Sequence, residues 1–542
     1  MASNFEQQRL ADLPVGPVLV VAPPGCGKTE ALALRARAVA ARGEVVSPRK
    51  SLAVTFSNKA RDNLRGRMQA VLGWNWRQHV EVMNFHGLAA RVIRAHGSVV
   101  GIPADAEMPM AAWLDATRRR LGVDFRNANA FDDALAHAKG GVFDDAEVLA
   151  RLQRSGNSQA VAYQEQLHEH NRLDYDDLIR HGTRLLSVPA IARLYQARFG
   201  LVLVDEVQDL TLMQYDMVTA LGSNRITFAG DLAQGIYSFA GADPVGVFAR
   251  IEALSPEVVE FNQSYRSGPA VLGAVNALAA HMDSTQLVCA EPTKWTSDEG
   301  RVVMVESENS EVEAQKLIKW IHTILDRDPA CTIGVITRRG SRADQLAAGA
   351  SAAGISFENW AMPTHVPVVV ETLKAVYPQA RRVAGADVER LDRLGLLARE
   401  SVDEGDASTL DELDGALTYL RDQLDNGVTL ANALGGCRPS PMPDAPVAPG
   451  LHLLTAHKGK GQEFDWVVIL GLEDGHVPDF RSSTLEEHEE ELRVLHVMAS
   501  RARYGLVATF SGNTWTRNGW RRASASRWLD LLRPVATDAL QL

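Results

Sequence analysis

The chain has 542 residues, 46% of them hydrophobic and 23% charged, with a formal net charge of −11. That length is too great for one domain and enough for about three or four, and the composition is that of a globular protein. The acidic balance argues against a general polyanion coat but allows a local basic groove. The four cysteines, Cys26, Cys289, Cys331 and Cys437, are far apart with no C-x-x-C pair, so neither a zinc site nor a disulfide framework is expected. A reducing cytoplasm fits, with no membrane partner: the start "MASNFEQQRL" is polar and no apolar run reaches transmembrane length.

In chain order, the first strong signal is "VLVVAPPGCGKTEALALRARAVAARG" (18–43). Val18 to Val21 reads as a strand buried on both faces. The following helix puts Leu32, Ala36 and Val39 on one side, and Gly43 is its stop. A loop between such a strand and helix aims backbone N–H groups and the positive helix end at one point, as a triphosphate requires. Lys28 adds charge for the β- and γ-phosphates, and Thr29 offers a hydroxyl to Mg²⁺. Pro23 and Pro24 donate no N–H, so Gly25, Cys26, Gly27, Lys28 and Thr29 must form the cradle. Cys26, beside a helix N-terminus and a lysine, is expected to carry some thiolate character and to be shielded by bound nucleotide.

"SLAVTF" (51–56), "LVLVDE" (201–206) and "ITFAGD" (226–231) read as parallel strands of an α/β core. Strand signals vanish from Gly97 to about Asp174, where the sequence is helical. A second strand series follows: "RVVMVES" (301–307), "CTIGVIT" (331–337), "LHLLTA" (451–456), "WVVILGL" (466–472) and "GLVATF" (505–510). It is interrupted over 361–449 by a helical, acidic stretch ending in the Pro-rich "CRPSPMPDAPVAPG". The expected fold class is α/β, two parallel-sheet cores in tandem, each with a mainly helical insertion. At the end of "LVLVDEVQDL", Asp205 is placed to hold Mg²⁺ and Glu206 to polarise the attacking water.

"VDEVQD" resembles the second motif of the UvrD/Rep/PcrA family of superfamily 1 DNA helicases. Further motifs follow the family order: "SNFEQQ" (Q motif), "AVTFSNKARDNLRGRM" (Ia), "NFHGLAARVIRAHG" (Ib), "LDYDDLI", "GDLAQGIYSFAGA" (III), "FNQSYRSG" (IV), "LLTAHKGKGQEFDWVVILGLEDGHVP" (V) and "EELRVLHVMASRARYGLVAT" (VI). The resemblance implies two RecA-like cores. The first is 1–97 with 175–262, interrupted by a helical insertion at 98–174. The second is 263–360 with 450–542, interrupted by a shortened insertion at 361–449.

The resemblance also implies roles. Gln7 reads adenine, Gln234 senses the γ-phosphate, and Tyr265 stacks on the base. Arg266 and Arg501 reach transition-state charge from the second core, and Glu463 contacts the nucleotide. Phe56, Ser57, Asn58, His86, Tyr237, Phe239 and His457 line a track for single-stranded DNA or a single-strand/duplex junction, with 3′ to 5′ movement. The sequence departs from the family at Ala240 (usually Arg), Ser264 (usually Asn) and His496 (usually Tyr). The compact layout, with no appended nuclease domain expected, also resembles the UvrD-like ATPase of the Gabija anti-phage system, which works with a TOPRIM-type nuclease. Two readings follow: an ATP-dependent helicase of repair, replication or plasmid and phage metabolism, or a DNA-stimulated ATPase that regulates a nuclease partner.

Overall fold

The computed structural model describes residues 5–124, 127–282, 284–295, 299–360, 364–365, 367–402, 407–425, 428–439, 447–516 and 519–539. Ser3 and Asn4 of the Q motif, residues 403–406 of the acidic stretch and 440–446 of the Pro-rich segment lie outside the described residues.

The first sheet contains β1 (Val18–Val21), β2 (Lys50–Thr55), β3 (Val80–Asn84), β4 (Phe199–Asp205), β5 (Ile226–Gly230) and β6 (Glu257–Glu260), in the order β3-β2-β4-β5-β1-β6. Every pairing is parallel. The apolar runs occupy the middle because both faces are covered there; all residues of β4 and β5 are buried. The second sheet contains β7 (Arg301–Ser307), β8 (Thr332–Thr337), β9 (Phe357–Asn359), β10 (Gly450–Thr455), β11 (Phe464–Ile469), β12 (Ala502–Ser511) and β13 (Asp538–Ala539). Its order is β9-β10-β8-β11-β12-β7-β13, again parallel throughout. The fold is α/β, two RecA-like parallel-sheet cores in tandem with helical insertions.

No continuous apolar run marks β3, β6, β9 or β13 in the sequence. Each is an edge strand, short or largely exposed, as in the "EVVE" of β6, where only Val259 is buried. Such segments lack the continuous apolar run that marks a strand with two covered faces.

The chain divides into two compact units. One comprises Met1–Asn84, Leu194–Ala361 and Pro446–Leu542 and holds both sheets. The other comprises Phe85–Arg193 and Met362–Ala445 and is mainly helical. In the helical unit, the helix Tyr175–Leu186 opens with a capping box between Asp174 and Asp177. The same carboxylates grip the fully buried Lys139, at 2.6 and 2.9 Å. Asp177 also accepts from buried Arg180 at 2.7 Å, and Arg180 reaches Asp145 at 2.6 Å.

Removing one member of such a network leaves buried charge uncompensated. Lys139→Met is therefore expected to destabilise the helical unit by about 3–5 kcal/mol, read as a lower urea midpoint by circular dichroism. An unchanged midpoint would show that the carboxylates rehydrate.

Candidate nucleotide site and aromatic track

The loop after β1 is shaped by Gly25 (φ +80) and Gly27 (φ +76), both left-handed. Gly25 also sits where no side chain fits: a Cβ there would lie 2.8 Å from the Arg266 Cβ and 2.9 Å from the Ser264 Oγ. The second core meets the loop at this point, and the Tyr265 N–H donates to the Gly25 carbonyl at 2.9 Å. From the other side, the Gln7 amide lies 3.5 Å from the Gly27 carbonyl. Buried Arg35 holds the Gln7 helix by donating to the carbonyls of Leu10, Leu13 and Pro14.

Lys28 and Thr29 open the helix Lys28–Ala41. Lys28 Nζ is 2.7 Å from Glu206 and 3.6 Å from Asp205. Burial works against its charge, but the Glu206 and Asp205 carboxylates raise its proton affinity overall. Glu206 adopts φ +58, an uncommon left-handed conformation outside glycine, at the exit of β4. Burial would raise its carboxyl, but Lys28, Lys460 and the Gln208 amide hold it below the usual range. Burial and the Glu206 charge push Asp205 the other way, against Lys28.

One residue that the sequence reading passed over completes this set. Lys460, in "HKGKGQEF", donates to Asp209 Oδ1 at 2.6 Å and to the Gln234 carbonyl at 2.7 Å. Its ammonium lies 4.7 Å from the centre of the Tyr237 ring. The only signal in the sequence was a lysine between two glycines, which says nothing of partners more than 200 residues away. The Gln234 side chain donates to Asp231 at 2.9 Å.

Arg266 donates to Glu463 at 2.9 Å and to the Ser500 carbonyl at 3.0 Å. Glu463 also accepts from Arg503; burial raises its carboxyl, but the two arginines lower it further. Arg501 is buried and donates to the Val497 carbonyl and Ser500 Oγ. Burial, then the neighbouring Arg266 charge, depresses its proton affinity. Two guanidiniums that disfavour one another in a dry cleft form a site that an anion would relieve. Buried Asp205 and Asp209 and the partly exposed Glu206 face two lysines, so one negative charge is left over, and the oxygen donors Asp205 and Thr29 are of the type that would suit Mg²⁺.

Phe56, Tyr237, Phe239 and His457 come together. Phe56 stacks on Tyr237 at 5.8 Å, Tyr237 meets Phe239 and His457 at 5.9 Å each, and Phe239 meets His457 edge to face at 4.9 Å. Phe239 is 72% exposed. Ser57 is used as the cap of the helix Asn58–Leu72, accepting from Ala60 N–H. Asn58 accepts from Arg61 and Asn84. His86 belongs to the helical unit, where its ring meets Tyr175 at 5.4 Å.

The thiolate expected at Cys26 is not supported. The side chain is buried, and burial followed by the Asp231 charge pushes its thiol up to about 12, overriding Arg266 and Lys28. Alkylation of the native protein is therefore expected to modify the partly exposed Cys289 before Cys26, whether or not nucleotide is present; peptide mapping that finds Cys26 modified first would reverse this correction.

His496 is buried against the Ala233 backbone and Asp231, with Nδ1 unpartnered. Burial lowers its proton affinity, as it does for His476, pressed down to about 3 by burial, Arg342 and Arg339. Both folded values lie below that of an unfolded histidine, so below about pH 6.5 the unfolded chain binds more protons. Stability should fall on acidification from pH 7 towards 5, and His496→Tyr should flatten that dependence. Equal slopes in thermal melts of both proteins would contradict this.

The comparisons agree with this geometry. Residues 3–252 match the UvrD/REP helicase N-terminal domain and residues 428–513 the UvrD-like helicase C-terminal domain. The ATP-dependent DNA helicase UvrD2 of Mycobacterium tuberculosis is 27% identical over 98% of this chain and 82% of its own length. DNA helicase II of Haemophilus influenzae is 24% identical over 94% and 84%. The ATP-dependent DNA helicase PcrA of Staphylococcus epidermidis is 28% identical over 59% and 45%. With a glycine-loop core and an arginine-bearing core meeting at Gly25, and both family domains matched in order, the chain belongs to the UvrD-like superfamily 1 helicases.

Proposed function

We propose that the chain is an ATP-dependent DNA helicase that translocates 3′ to 5′ on single-stranded DNA. The observation that carries this reading is Lys460: one side chain bonds the acidic strand end and the Gln234 loop and rests on the Tyr237 ring. The nucleotide cleft and the aromatic track are thereby tied to a single group on the second core. Lys28 leaves Glu206 for the phosphates when ATP enters, and the freed carboxylate is then positioned as the general base for water. Asp205 and Thr29 would hold Mg²⁺, which would supply neutralisation of phosphate charge. Arg266 and Arg501 oppose charge that develops in the transition state. Gln7 and Tyr265 flank the phosphate loop, as adenine-binding groups would.

The track supports single-strand binding by stacking. Phe56, Tyr237, Phe239 and His457 present ring faces, and every base has one to match. Ala240 stands beside them without a positive charge. That favours weak grip, and with it a second reading in which a partner such as a nuclease, as in an anti-phage complex, supplies commitment to the duplex. Opening a base-pair step costs about 1.4 kcal/mol, well within the yield of ATP hydrolysis, so grip rather than energy limits unwinding.

Lys28→Ala, Glu206→Gln and Arg501→Ala are expected to lower single-strand-stimulated ATP turnover by about 100-fold or more. Glu206→Gln should still bind ATP, and near wild-type turnover in this variant would remove the general-base role. On tailed duplexes of increasing length, the wild-type chain should unwind short 3′-tailed substrates with poor processivity, and Ala240→Arg should extend them. Robust unwinding of long duplexes by the chain alone would make a partner unnecessary; a preference for 5′ tails would refute the polarity.

A further inference from the structure

Phe480 is 65% exposed, yet it is held firmly. Its N–H donates to the Gly475 carbonyl at 3.1 Å, and the Ser482 N–H donates to the Asp479 carbonyl at 2.9 Å. The Asp479 carboxylate accepts two bonds from Arg339, at 2.7 and 2.6 Å, and one from the Arg481 N–H at 2.9 Å. The Asp479 N–H in turn donates to Glu491 at 2.9 Å, and Glu491 also accepts both bonds of Arg338. A large apolar ring is thus fixed in water by a loop whose backbone is anchored at every step.

The ring is flanked by cations. The Arg339 guanidinium lies 4.1 Å from its centre and that of Arg481 5.6 Å. Arg339 is spent on Asp479. Arg481 is exposed and has no carboxylate partner among the described residues. One helix, Leu485–Ala499, bonds both this loop and the loop that carries Tyr237 and Phe239. Burial and then the Arg338 charge press His457 down to about 4, and the His457 ring touches Phe239. The helix Leu485–Ala499 supplies Glu491 to the Phe480 loop, and Arg493 and Glu490 to the Gly235 carbonyl and the Ser238 N–H. A preorganised exposed ring beside an unspent guanidinium suits a base and its phosphate, because stacking and backbone neutralisation are the two terms of single-strand binding.

We propose that Phe480, with Arg339 and Arg481 beside it, is a nucleobase-stacking position for single-stranded DNA on the second core. This rests on the reading of the chain as a single-strand motor. Stacking on one aromatic is worth about 1–3 kcal/mol per base, so Phe480→Ala should weaken binding of oligo(dT) about five- to 150-fold.

The test compares labelled oligo(dT) with an abasic deoxyribose-phosphate chain of equal length, by fluorescence anisotropy at several salt concentrations. Phe480→Ala should lose affinity for oligo(dT) and little for the abasic chain, which has no base to stack. Phe480→Trp should retain oligo(dT) binding, showing that a ring is what matters. Arg481→Ala should reduce the salt dependence by about one phosphate contact. Unchanged oligo(dT) affinity in Phe480→Ala, or equal losses on both probes, overturns the proposal while leaving the motor reading in place. A wild-type chain that binds no oligo(dT) overturns both.

Discussion

The dry charge balance between the two sheets is the constraint on which the rest depends. Asp205, Glu206 and Asp209 are clustered at the end of β4, and Lys28 and Lys460 stand against them. None of these charges is stable alone in such surroundings, because an uncompensated buried ion costs several kcal/mol. The set holds only if three parts of the chain arrive together: the phosphate-loop helix with Lys28, the strand end with the acids, and the second core with Lys460. A dinucleotide-like cleft could be built by the first core alone. Here its electrostatics are completed from the second.

That arrangement explains why the loop 231–239 is so heavily restrained. Asp231 caps its first turn and holds Gln234. The helix Leu485–Ala499 then grips it at spaced positions. Glu490 accepts from Ser238, Arg493 donates to Gly235, and His496 packs at Ala233. These residues lie three apart, so they share one face of that helix. The near end of the loop carries the Gln234 amide, bonded to Asp231, and its far end carries Tyr237 and Phe239. Displacing either end strains the other, because the helix face fixes the middle.

How far this was legible depends on whether a feature is local. The central strands could be read because burial on both faces demands continuous apolar runs, and "LVLVDE" or "CTIGVIT" supply them. The phosphate loop and the acids could be placed because both lie at strand ends. The edge strands could not, since β6 buries only Val259 of its four residues and β9 and β13 are very short. Lys460 was hidden because its meaning comes from Asp209 and Gln234, far away in sequence. Cys26 misled for the opposite reason. Its sequence neighbours favour a thiolate, but burial and Asp231 outweigh Lys28 and Arg266. Proximity to positive charge lowers a thiol only where the thiolate can be solvated.

The same distinction bears on how a chain of net charge −11 engages a polyanion. Most arginines near the cleft are already committed: Arg266 and Arg503 to Glu463, Arg338 to Glu491, Arg339 to Asp479, and Arg342 to Glu313 and Glu473. Paired guanidiniums release few counterions when a phosphate approaches, so they contribute little salt-dependent affinity. The ring cluster of Phe56, Tyr237, Phe239 and His457 has no such prior commitment to carboxylates, and its central member is backed by the Lys460 cation. On the proposed reading, a surface of this kind would hold bases more than backbone. Its grip would depend on unstacked, single-stranded DNA and would offer little to a duplex, whose base faces are already occupied by their neighbours. Discrimination for single strands can therefore arise from the spent state of the arginines as much as from the presence of the rings.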